Sequence, residues 1–217
     1  IRHILKREHG VEEPTFKQVR EFYNEHLHPD KMNFKDSAVF RNVFQKGNWA
    51  GVFQFTNDGA QTFCQEVKPK NLIDICAITS IFRPGPLSAN VHKMYVAAKN
   101  SPSTVRYATK EAKEITKETY GFLVFQEQIA LLAHKLGKDL TLDEGNMLRK
   151  VLTKKGTGKE ARVKDDLYKK FVTGCVEKGV QKSKANEMWK TFEYFSGYGF
   201  NKSHAVSYSI LSYQCAW

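Results

Sequence analysis

No stretch of this sequence approaches the roughly 18 consecutive apolar residues of a membrane-spanning helix, and no signal peptide opens the chain. Membrane insertion and export are therefore not expected, and a cytoplasmic setting is. Cysteine is scarce and unpaired: Cys64, Cys76, Cys175 and Cys215 lie far apart, with none of the CxxC spacing of zinc or redox motifs. They read as reduced core thiols. His26 and His28 form an HxH without nearby cysteines and read as a surface pair, so no metal ligands are expected from this chain.

Internal repeats and low-complexity linkers are absent as well, which argues against a solenoid or a tethered array. Acidic residues are in deficit, 23 against 34 Lys and Arg, leaving a net charge of +11 and a pI near 9.4. That balance suits a polyanionic partner, although a solvated lysine surface would produce it too. Carboxylates in a metal-holding pattern are also lacking. There is no Asp-x-Asp, and the adjacent Asp165 and Asp166 lie in a lysine-flanked helical pattern, where neighbours point about 100° apart.

What is present is 217 residues, 41% of them hydrophobic, enough for one or two cores. The chain begins at Ile1 and ends at Trp217 inside an apolar stretch, so both ends are expected to be cut from something larger. Helical spacing dominates. Phe16, Val19, Phe22 and Tyr23 recur as one face of a helix from Thr15 that runs out near Pro29, and Ser37 to Gln45 makes a shorter helix stopped by Gly47. A buried helix is predicted from Leu72 to Phe82, ending before Pro84 and displaying Arg83 on a stiff turn. Gly121 to Leu136 places Val124, Phe125, Ile129, Leu132 and Leu136 on one face, with Gly137 as the stop. Gln126, Glu127 and Gln128 on that helix read as structural, and Trp49, Trp189 and Trp217 as core or domain contacts.

Thr141 followed by Glu144 is a capping-box signature that starts a helix running to about Lys154. Its wheel puts Leu148, Val151 and Leu152 on one arc and Arg149, Lys150 and Lys154 on the other. One side packs and the other is a cationic stripe. From Arg149 to Lys184 twelve basic residues face four acidic ones, a local balance of +8 and most of the chain's excess. The lysines from Lys159 to Lys184 read as a solvated face adding diffuse attraction to a polyanion. Two further helices carry Val163, Leu167 and Phe171, then Met188, Trp189, Phe192 and Phe195, ending at Gly197.

The densest signal is GYGFNKSH, Gly197 to His204, leading into AVSYSILSYQCAW. Two glycines permit a tight backbone, Ser203 could cap the helix, and N–H groups at its start with Lys202 and His204 would suit phosphate. Taken alone, a glycine-rich turn of this kind is more often a capping loop with incidental polar residues.

Five segments stand in an order that permits a family comparison: GVFQF (from Gly51), FRPGPL (Phe82 to Leu87), TYGFLVFQEQ (Thr119 to Gln128), LRKVLTKK (Leu148 to Lys155) and GYGFNKSHAVSYSILSYQ (Gly197 to Gln214). In these the chain resembles the alpha subunit of bacterial DNA polymerase III, a C-family replicative polymerase. The resemblance spans about residues 51–217. It implies a mainly α, compact multi-helix polymerase fingers domain over 51–217 with at most short strands, and a helical lead-in over 1–50 adjoining the palm. By the same resemblance, Arg149, Lys150, Lys202 and His204 would face the dNTP triphosphate or nearby backbone phosphates. Tyr198 and Asn201 would shape the loop around the nucleotide, Arg83 would contact phosphate or primer-template DNA, and Lys154, Lys155 and Lys159 would contact DNA. Mg2+ would be held by aspartates of a palm domain upstream, leaving this segment inactive alone. Palm and thumb domains are implied partners, and the sliding clamp and other replisome proteins are candidates. Two departures stand out. Lys150 replaces the family's second arginine, exchanging a forked guanidinium for a point charge, and Thr56-Asn57-Asp58 stands where the family has Glu-Ser, so no role is carried to that turn. A non-catalytic nucleic-acid-binding module and a helical protein-interaction domain are the competing readings.

Overall fold

The computed structural model describes residues 1–153, 158–197 and 199–217, without the side chains of Arg149, Thr153 and Lys159. Helix starts match the caps that the sequence encodes. After α1 (Arg2–His9), which stops at Gly10 in the left-handed region, Thr15 and Gln18 form a capping box for α2 (Phe16–Phe22). This helix widens into a π-turn over Tyr23–Leu27 and ends before Pro29. Asp36 caps α3 (Ser37–Val39), which also runs on as a π-helical segment, Phe40–Gln45. Then come α4 (Asp58–Val67), α5 (Leu72–Ile81), the single turn α6 (Pro84–Ser88) and α7 (Val91–Asn100). As predicted, α5 is nearly buried all round and ends just short of Pro84.

The second half holds α8 (Lys110–Thr116), α9 (Gln126–Leu136), α10 (Leu142–Thr153), α11 (Lys159–Glu177), α12 (Lys182–Ser196) and α13 (Lys202–Ala216). The expected capping box starts α10, with the Thr141 N–H donating to Glu144 at 2.8 Å and the Glu144 N–H to Thr141 Oγ1 at 3.2 Å. No sheet forms among the described residues; the only β-type pairing is a parallel bridge between Phe125 and Phe200. The mainly α expectation therefore holds.

Two apolar cores result. One gathers Leu5, Phe22, Phe40, Phe44, Phe55, Ile75, Ile78 and Tyr95 from the first hundred residues together with Tyr213 of α13. Fully burying an aliphatic or aromatic side chain of this kind stabilises by about 1.5–3 kcal/mol. This core runs without a break across residue 50, joining the lead-in to α4, α5 and α7. The other gathers Ile129, Leu132, Leu136, Leu148, Phe171, Trp189 and Phe192 from α9 to α12. Segment 122–125 lies between them, Leu123 packing in the second core and Val124 and Phe125 in the first. Two glycines set the helix spacing in the second core. A Cβ at Gly145 would lie 2.5 Å from the Ala130 carbonyl oxygen, and one at Gly174 2.2 Å from the Lys138 backbone nitrogen.

Several expectations need correcting. Helix α9 starts at Gln126 and not at Gly121, because Phe125 is extended, bridges to Phe200, and donates its N–H to the side chain of Gln128 at 3.0 Å. Gly137 ends α9 as expected, in an extended conformation. Phe16 is 74% exposed and lies off the packed face of α2. Trp217 is 46% exposed, its ring stacked on His26. Cys64, Cys76 and Cys175 are buried free thiols, the first two pushed up to about 12 and about 11 by burial, whereas Cys215 is exposed.

Candidate functional site

The GYGFNKSH segment is tied to the start of α9 by two backbone bonds. The Gln126 N–H donates to the Phe200 carbonyl and the Phe200 N–H to the Val124 carbonyl, each at 3.0 Å. That docking delivers Asn201, in extended conformation, to the head of α13, where its side-chain oxygen accepts the His204 N–H at 2.9 Å. Asn201 is therefore the cap. Ser203, expected in that role, sits one residue inside the helix and donates its hydroxyl back to Asn201 at 2.6 Å.

The anion expected at this helix start is supplied by the chain itself. Glu127 accepts the Lys202 N–H at 3.0 Å and the Asn201 amide at 2.8 Å, a carboxylate set on the positive end of the helix. The Lys202 ammonium pairs with Glu118 and lies 5.4 Å from the centre of the Phe125 ring. Gln128, by contrast, is structural as expected: buried, it donates to Thr119 Oγ1 at 2.8 Å and to the Ile115 carbonyl at 3.2 Å.

On the outer face of α13, residues four apart line up. His204 lies between the rings of Phe200 (5.3 Å) and Tyr208 (4.1 Å), and Tyr208 meets Phe53 at 5.2 Å. The Arg83 guanidinium covers the other end, 4.9 Å from the Phe200 centroid, which fixes its position as the Pro84 turn suggested. Arg83, Phe200, His204 and Tyr208 thus form one continuous cationic and aromatic strip beside Lys202.

Helix α10, which carries Arg149 and Lys150, packs on α9. Helices α9 and α10 are joined by a short connection and meet closely at Ala130 and Gly145. Arg149 and Lys150 follow Gly145 along α10 by about one helical turn. Lys150 is exposed. The side chains of Arg149 and Lys159, and all of Lys154, Lys155 and Tyr198, lie outside the described residues.

Much of the basic excess farther along is answered by acids. Lys164 pairs with Glu193 at 2.7 Å, Lys169 with Asp165 at 2.5 Å, Lys170 with Glu144 at 2.5 Å, Lys184 with Glu187 at 2.9 Å, and Lys138 with Glu177. The hydrogen bond from Lys170, with help from the Thr141 N–H, holds the Glu144 carboxyl below its ordinary range. Among the described residues, no three His, Cys, Asp or Glu side chains come together as a metal site would require. The two carboxylates nearest the loop, Glu118 and Glu127, are committed to Lys202 and Asn201. This donor set does not fit a two-metal centre.

Comparison with known sequences identifies the family. The family described as "Bacterial DNA polymerase III alpha subunit finger domain" matches residues 12–179. The chain belongs to this family. Relatives named DNA polymerase III subunit alpha include that of Halalkalibacterium halodurans, 35% identical over 94% of this chain and 18% of the relative. That of Aquifex aeolicus is 32% identical over 100% of the chain and 17% of its own length, and that of Borreliella burgdorferi 36% identical over 81% and 15%. This finger domain thus spans under a fifth of the length of the curated relatives it matches. Its family match takes in Arg83, Glu118, Glu127 and Arg149, and the full-length match to the Aquifex protein also takes in the Gly197–His204 loop. Among its described residues, no helix is long and apolar enough to cross a membrane.

Reasoning from sequence alone missed Glu118 and the Phe53–Tyr208 end of the strip, and read Glu127 as structural without finding the loop that it anchors. The acidic Glu118, next to the TYG turn, and the four-residue spacing of Phe200, His204 and Tyr208 were the available signals.

Proposed function

We propose that this finger domain serves a template-directed replicative DNA polymerase by binding the triphosphate of the incoming dNTP and helping to position primer-template DNA. The observation that carries this reading is the convergence at the start of α9. The head of α13 with Lys202 and His204 and the Arg83 guanidinium gather there around Phe200, and α10, which carries Arg149 and Lys150, packs on α9.

In this reading Lys202, Arg149 and Lys150 offset triphosphate charge and favour the leaving pyrophosphate, Arg83 adds a forked phosphate contact, and His204 donates a hydrogen bond or a proton. Asn201 holds the loop in place by its cap, and Tyr198 helps to shape the loop around the nucleotide. Lys154, Lys155 and Lys159 meet the DNA backbone. Mg2+, which would activate the primer hydroxyl and neutralise the phosphates, is assigned to carboxylates of a palm domain. Palm and thumb are then obligatory partners, the sliding clamp and other replisome proteins are further ones, the setting is the cytoplasm, and the finger domain alone is inactive. The test is complementation: the chain is combined with a palm-bearing polypeptide and assayed for primer extension. Restored synthesis supports the reading. Salt-sensitive DNA binding without synthesis under any complement would replace it with a non-catalytic nucleic-acid-binding module.

A further inference from the structure

Two acidic side chains stand at the start of α13, and they differ in how firmly they are held. Glu127, on the first turn of α9, closes on backbone and amide groups of the segment it anchors. Glu118 holds the side-chain end of a lysine, the Lys202 ammonium, across 84 residues of sequence. Its own position is fixed. It belongs to the 3-10 turn Lys117–Thr119, pinned where Thr119 Oγ1 donates to the Phe122 carbonyl at 2.6 Å and accepts from Gln128 at 2.8 Å. The Glu118 and Lys202 side chains are each about a third exposed, 32% and 34%, so solvent and solutes can reach the pair.

A carboxylate facing an ammonium beside an aromatic ring presents the same chemistry as a phosphate oxygen facing that ammonium. Resting on the nucleotide reading, we propose that Glu118 is a positioning residue that stands in for phosphate. It holds Lys202 when no nucleotide is bound, yields it to the incoming triphosphate, and takes it back as pyrophosphate leaves. The cost of parting the pair falls equally on every ligand that recruits Lys202. It therefore weakens nucleotide and pyrophosphate by a common factor and speeds release of the product. DNA held through other lysines is unaffected.

The experiment uses the assembled polymerase that contains this domain, comparing Glu118→Gln with the unaltered enzyme. Read out are the nucleotide Kd from single-turnover incorporation, the pyrophosphate inhibition constant, and the DNA Kd. The expected result is that the first two fall together by roughly threefold or more, the scale of a partly exposed ion pair, while the DNA Kd stays put. Glu118→Asp, one methylene shorter, moves the same two constants in the same direction by less and serves if the glutamine variant does not assemble. Unchanged constants, or weaker binding of both ligands, would overturn the proposal, the latter by making Glu118 a simple prop for Lys202. Lys202→Ala separates the two layers. If that variant binds nucleotide normally, the nucleotide reading itself falls. If it binds weakly while Glu118→Gln binds no tighter than the parent, only the stand-in role falls.

Discussion

Asp74 and Lys99 form an ion pair of 2.6 Å inside the first core, with side chains 1% and 6% exposed. Each has further partners: the Lys70 N–H donates to Asp74 at 2.8 Å, and Lys99 donates to the Tyr120 hydroxyl at 3.2 Å and lies over the Tyr120 ring. The pair fastens α5 to α7 and both to the turn that precedes α9, the helix that carries Glu127. Removing one member of a buried pair strands the other charge and costs about 3–5 kcal/mol. Lys99→Met and Asp74→Leu should each lower the denaturation midpoint sharply. The double variant should lose less than the two singles combined, as chemical unfolding monitored by circular dichroism will show.

Glycines 145 and 174 are expected to tolerate no side chain. Alanine at Gly174 places a methyl against the backbone of Leu136 and Lys138, and at Gly145 against Ala130. Each should destabilise by about 1–3 kcal/mol through forced separation of the helices. Gly197, where an added Cβ meets nothing within 4 Å, is the control expected to change stability least.

Glu144 makes stability depend on pH. Its carboxyl titrates below the ordinary value because Lys170 and the Thr141 N–H favour the charged form. The stability this contributes is therefore fully present above the unfolded carboxyl value, near 4.5, and is lost as pH falls through the lower folded value. Since both partners are partly exposed, the contribution is about 1 kcal/mol or less. Glu144→Gln should flatten the stability profile in that acidic window and leave its slope near neutrality unchanged, measured by unfolding at a series of pH values.

At the candidate site, Lys202→Ala or Arg149→Ala in a reconstituted polymerase should reduce kcat/KM for nucleotide incorporation by roughly tenfold or more, with DNA affinity changed far less. Equal loss of both would move these residues from the triphosphate to the DNA backbone.

Asn201→Ala removes the cap of α13 and the amide that Glu127 accepts. A loss of about 1 kcal/mol in stability is expected from the cap, accompanied by weaker nucleotide binding as the loop loosens. Asn201→Asp keeps the capping oxygen but sets a second carboxylate against Glu127, so it should restore less than an isosteric swap would suggest.

Local chemistry was readable from the sequence wherever a few neighbouring residues decide the outcome. The Thr141–Glu144 box, the stop of α5 before Pro84 and the apolar arcs of α10 to α12 are cases of that kind. Long-range pairings were not. Val124 and Phe125 fit a helical face in periodicity, yet a bridge to Phe200 draws them out of it, and nothing within one turn of Phe125 encodes that partner. The same applies to Lys202. Its approach to phosphate could be proposed from the loop, but its present neighbour Glu118 is 84 residues away. The stripe on α10 was legible as charge, whereas the pairing of Lys164 with Glu193 and of Lys170 with Glu144 depends on which helices lie side by side.

Helix α13 is gripped at both ends by different parts of the chain. Its head is clasped by Glu127 of α9, while near its tail Tyr213 donates to the Asn33 carbonyl at 2.8 Å and Gln214 to the Leu27 carbonyl at 2.7 Å. Fifteen residues of α-helix make a rod of about 22 Å. Residues 27–33 and the lysine and histidine at the helix head are thereby tied to opposite ends of one rod, so the separation between them is set by the length of that helix.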